Sequence, residues 1–332
     1  MKILLSHGDG GLLTHRLIEE VFAEAFCDEA LAAKGDAATV AVGAGQLAIT
    51  TDSFVIQPLE FPGGDIGKLA VAGTVNDLAV SGATPAYLSV GFILEEGLEI
   101  DLLRKMVRSL AEAAREAGVR IVAGDTKVVE RGKCDRMYIN TTGIGFNEQP
   151  KRLGYEQIQP GDRIIINGGI AEHGVAVLAE RAGISFDPPL LSDCQPLNKL
   201  IARALTEFKT IRFMRDPTRG GVATTLKEIA VSAGVRMIVE EEKVPMQSAV
   251  KGALELMGMD PLYIANEGKV LFIVSEQESE TLVDFIRAFP GFHMAAEIGR
   301  IEPGNGEVLL KTALGGTREL DMLSGTPLPR IC

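Results

Sequence analysis

Six aspartates stand where chemistry on a phosphate would need them. Asp36 in GDAATV, Asp52 in TTDS, Asp65 in GGDIGK, Asp77 in VNDLAV, Asp125 in AGDTKV and Asp216 in RDPTRGG sit beside glycine or where an apolar stretch stops. Ligands collect at such junctions in layered α/β folds. Carboxylates there can hold Mg2+, a hard ion that takes oxygen ligands and bridges to phosphate. Each aspartate taken singly reads first as an ordinary helix cap or turn former. Six of them in one glycine-rich acidic chain shift the balance, modestly, towards metal–phosphate chemistry.

Three other places carry reactive groups. DPTRGG at 216–221 puts Thr218, Arg219, Gly220 and Gly221 at a helix start. Free backbone N–H groups and a guanidinium fork make an anion site there, although an ordinary capped N-terminus reads the same way. Lys127 lies two residues after Asp125, and Glu267 lies in ANEGK. Alone, each is a solvated surface charge. Facing a common site they would move protons, but nothing in their spacing brings them together. The chain ends in PLPRIC, on Cys332. Pro327 and Pro329 stiffen this end into an arm of roughly 20 Å over seven residues. A terminal thiol on such an arm is built like a carrier, and Arg330 beside it is expected to favour the thiolate.

Familiar nucleotide motifs are missing. PGGDIGKL has Pro62 and Leu69 where a P-loop needs Gly and Ser or Thr, and no Gly-x-Gly-x-x-Gly follows a strand. HExxH and a serine-hydrolase elbow are absent as well.

The elements that must position these residues alternate between strand and helix. Strands are predicted over 46–56, 85–94, 119–126 and 136–146, with a buried helix over 65–83 after the Gly63-Gly64 break. Leu103, Met106, Val107, Leu110, Ala114 and Ala117 form one apolar stripe closed by Gly118, an amphipathic helix. The grammar restarts after residue 150. Strands are expected over 161–170, 235–240, 269–275 and 295–302, helices over 172–182, 196–208, 218–234 and 276–288, and a short hairpin after 303. The imperfect alternation predicts an α/β protein of α+β layers in two domains. A boundary falls near Gly154, where Pro, Gly and polar residues gather. The expected units are 1–153, 154–318 and a flexible C-terminal tail, 319–332.

Composition sets the outer limits. In 332 residues, 33 Lys and Arg stand against 45 Asp and Glu, a net charge of −12. That argues against nucleic acid or an anionic membrane as the main partner, since both need basic patches. The four cysteines, Cys27, Cys134, Cys194 and Cys332, contain no CxxC, which excludes a zinc module or disulfide framework and suggests a reducing compartment. Three of them read as small buried hydrophobes. The short apolar stretch at the N-terminus is too small for a signal peptide, and no run is long enough to span a bilayer. A cytoplasmic location is the expectation.

Taken together, SHGDGG, TTDSFVIQPLEFPGGDIGKLAVAGTVNDLAVSGATP, GFILEEG, AGDTKVV, SDC, RDPTRGGV, ANEGK and PRIC occur in the order found in the HypE family of hydrogenase maturation proteins, which the chain resembles from residue 6 to residue 332. That family belongs to the superfamily of aminoimidazole ribonucleotide synthase, selenophosphate synthetase and thiamine monophosphate kinase. The resemblance implies an aminoimidazole ribonucleotide synthase-like fold of two α/β domains, ATP with Mg2+, and a homodimer formed through the N-terminal domains. It implies a carbamoyl group received on Cys332 from a HypF-type carbamoyltransferase. ATP-dependent dehydration of that thiocarboxamide to a thiocyanate would come next, with cyanide passing to iron on a HypC–HypD complex for a [NiFe]-hydrogenase. Carried over by motif, Cys332, Lys127 and Glu267 are catalytic. Asp36, Asp52, Asp77, Asp125 and Asp216 match the Mg2+–phosphate positions, and Lys68, Asn76, Thr126, Thr218, Arg219, Gly220 and Gly221 match nucleotide contacts. Asp9 in SHGDGG departs from the small residue expected there, which weakens a phosphate role for that loop. The alternatives are another ATP-dependent synthase of the superfamily, or a non-catalytic, ATP-gated assembly scaffold that would release no phosphate.

Overall fold

The computed structural model describes residues 11, 12, 15, 38–42, 45–147, 153–325 and 330–332; Asp9, Cys27 and Asp36 lie outside these. The N-terminal half is built on a five-stranded sheet in the order β1-β2-β7-β5-β6. Its strands are β1 (Ala38–Val42), β2 (Gly45–Phe54), β5 (Thr84–Glu95), β6 (Arg120–Val129) and β7 (Met137–Asn147), with a two-stranded ribbon of β3 (Glu60–Phe61) and β4 (Gly64–Asp65). Neighbours are antiparallel except β5 and β6. Those two are parallel because helix α2 (Ile100–Ala117) carries the chain back between them.

Helix α1 (Ile66–Val80) is the element on which the site depends. The Asp65 carboxylate caps it, accepting from the Gly67 and Lys68 N–H groups at 2.8 and 3.0 Å. Thus Asp65 is a cap. The helix is apolar all round because it is covered all round, by β2 and β7 on one side and by α2 and helix α4 (Asn198–Glu207) on the other. A Cβ at Gly67 would lie 2.2 Å from the Met106 carbonyl oxygen, so only glycine lets α1 and α2 approach this closely. On α2 only Met106, Leu110, Ala113, Ala114 and Ala117 are buried; Val107 of the expected stripe is exposed, and Gly118 ends the helix at φ +75°.

The C-terminal half carries a seven-stranded sheet in the order β14-β13-β10-β12-β8-β11-β9. These are β8 (Arg163–Ile166), β9 (Ile211–Arg215), β10 (Val235–Glu240), β11 (Leu271–Val274), β12 (Ala296–Pro303), β13 (Val308–Lys311) and β14 (Thr317–Leu320). Around it lie α3 (Glu172–Ala182), α4, α5 (Gly221–Ala233), α6 (Ser248–Met257) and α7 (Glu276–Arg287). One apolar core joins the halves, running from Ile66, Leu69 and Met137 through Val175 and Val222 to Met237 and to Ile331 at the chain's end. Burying each large side chain of this kind contributes about 1.5–3 kcal/mol. Strand β9 and helix α6 were not expected from sequence. The expected helix from 218 begins at Gly221, leaving 218–220 as a turn. Among the described residues, no helix is long and apolar enough to cross a membrane.

Candidate functional site

Helix α5 opens with its N-terminus towards the junction of the halves. Gly220 and Gly221 have φ of +77° and +64°. At Gly221 a Cβ would lie 2.5 Å from the Leu262 carbonyl oxygen and 2.7 Å from that of Ile264, so this tight turn can be made only by glycine. Asn266 supports it from below. Its Nδ2 donates to the Pro217 carbonyl at 2.8 Å, while its Oδ1 accepts from the Ala171 N–H at 2.8 Å. The Arg219 guanidinium projects from the same turn with Asp52, Asp77, Glu267 and Cys332 around it. The charge on Cys332 is the largest of the influences that raise its pKa.

On the facing wall, Asp52 on β2 and Asp77 on α1 form a carboxyl pair. Burial pushes the Asp52 carboxyl up, against the pull of Arg219 and hydrogen bonds to Asp77 and Thr74. Two carboxyls within hydrogen-bond reach must share a proton unless a cation takes its place. Thr50 Oγ1 donates to Asp77 Oδ2 at 2.7 Å. Asp216 is buried just before the α5 turn, and its charge acts on Glu267 together with that of Asp52. All-oxygen donors of this kind suit Mg2+. Among the described residues no three His, Cys, Asp or Glu side chains form a cluster that could hold a metal ion. Asp125, Thr126 and Lys127 lie elsewhere, on β6, which is exposed along the edge of the five-stranded sheet.

Glu267 is not the solvated charge that its isolated reading suggested. It is 3% exposed, and its Oε1 has no hydrogen-bond partner. Burial, then the charges of Asp193, Asp216 and Asp52, hold its carboxyl well above the usual carboxylate range, with Arg219 opposing. Lys127 is not among the charges acting on it, so one chain alone does not bring these two residues together. Lys68, half-buried on α1, donates from Nζ to the Gly63 carbonyl at 3.0 Å. Asn76 is a clamp rather than an open nucleotide contact. Its Nδ2 donates to the Gln195 carbonyl at 3.1 Å, its Oδ1 accepts from the Leu197 N–H at 2.7 Å, and it is 1% exposed.

Beneath Glu267 lies a buried ionic group that sequence reasoning missed. Lys269 Nζ is 3.1 Å from Asp193 Oδ2 and 3.0 Å from Glu172 Oε2. Asp193 also accepts from the N–H groups of Glu267 and Gly268. Burial alone would raise the Asp193 pKa, but Lys269 and the Glu267 N–H outweigh it and hold it low. This group fixes the backbone under Glu267. The only hint in the sequence was charge in SDC and ANEGK, next to apolar stretches.

The chain's end enters this site. Beyond β2, residues 55–57 pair with the last three residues: the Val55 N–H donates to the Cys332 carbonyl at 3.1 Å and the Gln57 N–H to the Arg330 carbonyl at 3.3 Å. Ile331 is buried, and Cys332 packs half-buried on the core. Arg330 has partners of its own. Its side chain turns away to the Val55 carbonyl at 3.1 Å, Gln57 Oε1 at 3.0 Å and Asp135, over the Tyr138 ring. Its backbone is left-handed, at φ +56°. Arg330 is an anchor, and Arg219 is the cation whose charge meets Cys332. Cys134 and Cys194 are buried free thiols, as expected.

Comparison with known proteins agrees with this architecture. Residues 34–147 match the model for the N-terminal domain of AIR synthase related proteins, and residues 159–311 match that for the C-terminal domain. The carbamoyl dehydratase HypE of Azotobacter vinelandii is 47% identical over all of this chain and 97% of its own length. A crystal structure of HypE in complex with ATP superposes with a TM-score of 0.84 at 45% identity, covering 100% of both chains. A HypE–HypF complex contains a chain that superposes with a TM-score of 0.87 at 46% identity, covering 92% of this chain and 99% of that one.

Proposed function

This chain belongs to the HypE family of hydrogenase maturation proteins, and from that premise we propose that it is an ATP-dependent carbamoyl dehydratase acting on its own C-terminus. One observation carries the reading. The terminal Cys332 is docked between residues 55–57 and Arg219, whose charge also meets Glu267, a buried carboxyl with one oxygen lacking a hydrogen-bond partner among the described residues.

In this reading a HypF-type carbamoyltransferase places a carbamoyl group on Cys332 Sγ. The amide oxygen is a poor leaving group, so the γ-phosphoryl of ATP is transferred to it, and the C–O bond then breaks as the C≡N bond forms. Both amide protons leave nitrogen. One ends on the departing phosphate and one in solution, which balances thiocarboxamide plus ATP against thiocyanate, ADP, phosphate and a proton. Positioning and charge neutralisation dominate such a transfer. Arg219 and the N–H groups at the start of α5 receive phosphate charge. Burial and three carboxylates raise the Glu267 pKa, so in the protein alone it keeps its proton; with those neighbouring charges neutralised on ATP binding it would ionise and accept an amide proton. Mg2+ would supply neutralisation of the triphosphate charge; among the described residues the protein alone offers no three-carboxylate cluster, so Asp52, Asp77 and Asp216 would hold it only together with phosphate oxygens of ATP. The thiocyanate would then be the cyanide donor to iron on a HypC–HypD complex, a transfer that breaks the S–C bond, takes two electrons from that complex and returns Cys332 as the thiolate.

A homodimer completes the proposal. Ile121, Val122 and Val128 on the open β6 edge, with Ile93 on β5, expose apolar surface, a pattern that marks an association face. A second copy there would enclose Asp125, Thr126 and Lys127 and give Lys127 a role that it lacks in one chain. The proposed units are 1–153 for ATP binding and dimerisation, 154–318 for the second α/β domain, and 319–332 for the tail carrying the cysteine.

Mass spectrometry of the C-terminal peptide tests the reaction. After incubation with the carbamoyltransferase, carbamoyl phosphate and ATP, Cys332 should gain a carbamoyl group and then lose one water. An unmodified Cys332, or phosphate release by Cys332→Ala at the wild-type rate, overturns the reading.

A further inference from the structure

His173 on α3 holds the chain's end by its penultimate carbonyl. Its Nε2 is 2.8 Å from the Ile331 carbonyl oxygen, and its Nδ1 is 2.8 Å from Ser192 Oγ. The ring is wholly buried, and burial holds its pKa below the ordinary imidazole range, so it is neutral and carries one N–H. A carbonyl only accepts, so the proton sits on Nε2 and Nδ1 accepts from the Ser192 hydroxyl. Ser192 is itself fixed: its Oγ accepts from the Cys194 N–H at 3.1 Å, and its N–H donates to the Pro62 carbonyl at 2.8 Å. Phe61 packs edge-on against the ring at 5.3 Å. Tautomer, ring angle and donor direction are therefore all set before the tail arrives. Arg181 adds a second grip by donating to the Arg330 carbonyl.

A carrier thiol must work at two places, at the enzyme that loads it and at the site that dehydrates its cargo. The His173 contact exists only when the tail is docked. We propose that His173 is a positioning residue for the dehydration step: a pre-set N–H donor that registers the Ile331 carbonyl, and so places Cys332 within reach of the Arg219 charge. The proposal rests on the reading of Cys332 as the carbamoyl carrier. Losing this contact should leave loading unchanged and slow only the dehydration.

The full-length protein with His173→Gln, His173→Leu or Ser192→Ala tests this in two ways. The first needs no assumption about the reaction. Labelling by a bulky maleimide is followed at each cysteine by peptide mass mapping. Cys332 should label about tenfold faster in His173→Leu, the equivalent of losing one hydrogen bond. His173→Gln, whose amide can still donate, should lie near wild type, and Ser192→Ala, which keeps the ring but frees its tautomer, should lie between. The second readout is a single turnover of carbamoylated protein. His173→Leu should dehydrate about tenfold more slowly at saturating ATP, with unchanged carbamoyl loading and with activity restored by Gln. If His173→Leu does not fold, Ser192→Ala and His173→Gln carry the labelling comparison. Equal Cys332 labelling in all folded variants overturns the inference. A wild-type protein that loads carbamoyl but never loses water overturns the carrier reading, while the labelling result still decides the docking role.

Discussion

Glu267→Gln isolates the proton-accepting role from packing, because glutamine has the same shape and differs in basicity. The side chain is buried, and its Oε1 has no hydrogen-bond partner among the described residues. Its removal as a base should slow conversion of the carbamoylated tail to thiocyanate about 10²–10⁴-fold, the usual worth of one positioned general base. That corresponds to about 2.7–5.5 kcal/mol at about 1.36 kcal/mol per decade. Stability should move the other way. Burial and Asp193, Asp216 and Asp52 raise the carboxyl's pKa in the fold. The native state therefore keeps a proton that the unfolded chain sheds above the ordinary carboxylate range. Stability is fully present below the unfolded value and falls as pH rises towards the raised folded value. Glutamine has no proton to lose, so the variant should melt above wild type at pH 8, and the gap should close as pH drops to about 4. Single-turnover mass spectrometry of the tail gives the rate, and thermal melts across pH give the stability. Thiocyanate formation at the wild-type rate would refute the base assignment. A variant less stable than wild type at pH 8 would refute the electrostatic account of Glu267.

Other expectations rest on the same contacts. Lys269→Met strands Asp193 and Glu172 without their buried cation and should lose about 3–5 kcal/mol in urea denaturation; an unchanged midpoint would contradict the ionic group beneath Glu267. Gly221→Ala drives a Cβ to 2.5 Å from the Leu262 carbonyl at φ +64°. It should cost about 1–3 kcal/mol or more and weaken ATP binding about tenfold, read by calorimetry. Val128→Glu, on the exposed face of β6, should weaken self-association about a hundredfold in sedimentation experiments, since a charge enclosed there lacks a partner. It should also reduce dehydration, and a fully dimeric, active variant would remove β6 from the proposed interface.

Much of the architecture was legible because it is encoded locally. The stripe on α2 and its closing Gly118, the cap at Asp65, and the strand character of 85–94 and 136–146 depend on neighbours a few residues away. DPTRGG was readable for the same reason: a glycine pair at a helix start signals a turn in the left-handed region that other residues rarely adopt. Where local signals were weak, elements escaped. Strand β9 is five residues between a helix and a proline, and α6 contains Gly252 within its ten residues.

What the sequence determined by itself was the inventory: acidic junction residues, a glycine-rich turn carrying Arg219, and a cysteine following two prolines. Only the tertiary structure decided who meets whom. Adjacency made Arg330 look like the cation for Cys332, yet packing sends it to Asp135 and Tyr138, while Arg219 faces the chain's end. Glu267 looked solvated until the core closed over it, and Asn76 became a clamp once α1 was enclosed. His173 reaches Ile331 across 158 residues of chain. Such contacts are made by the joining of two sheets and α1 into one core. A side chain's charge state and partners depend on what that core excludes from water, which residue type and spacing do not record.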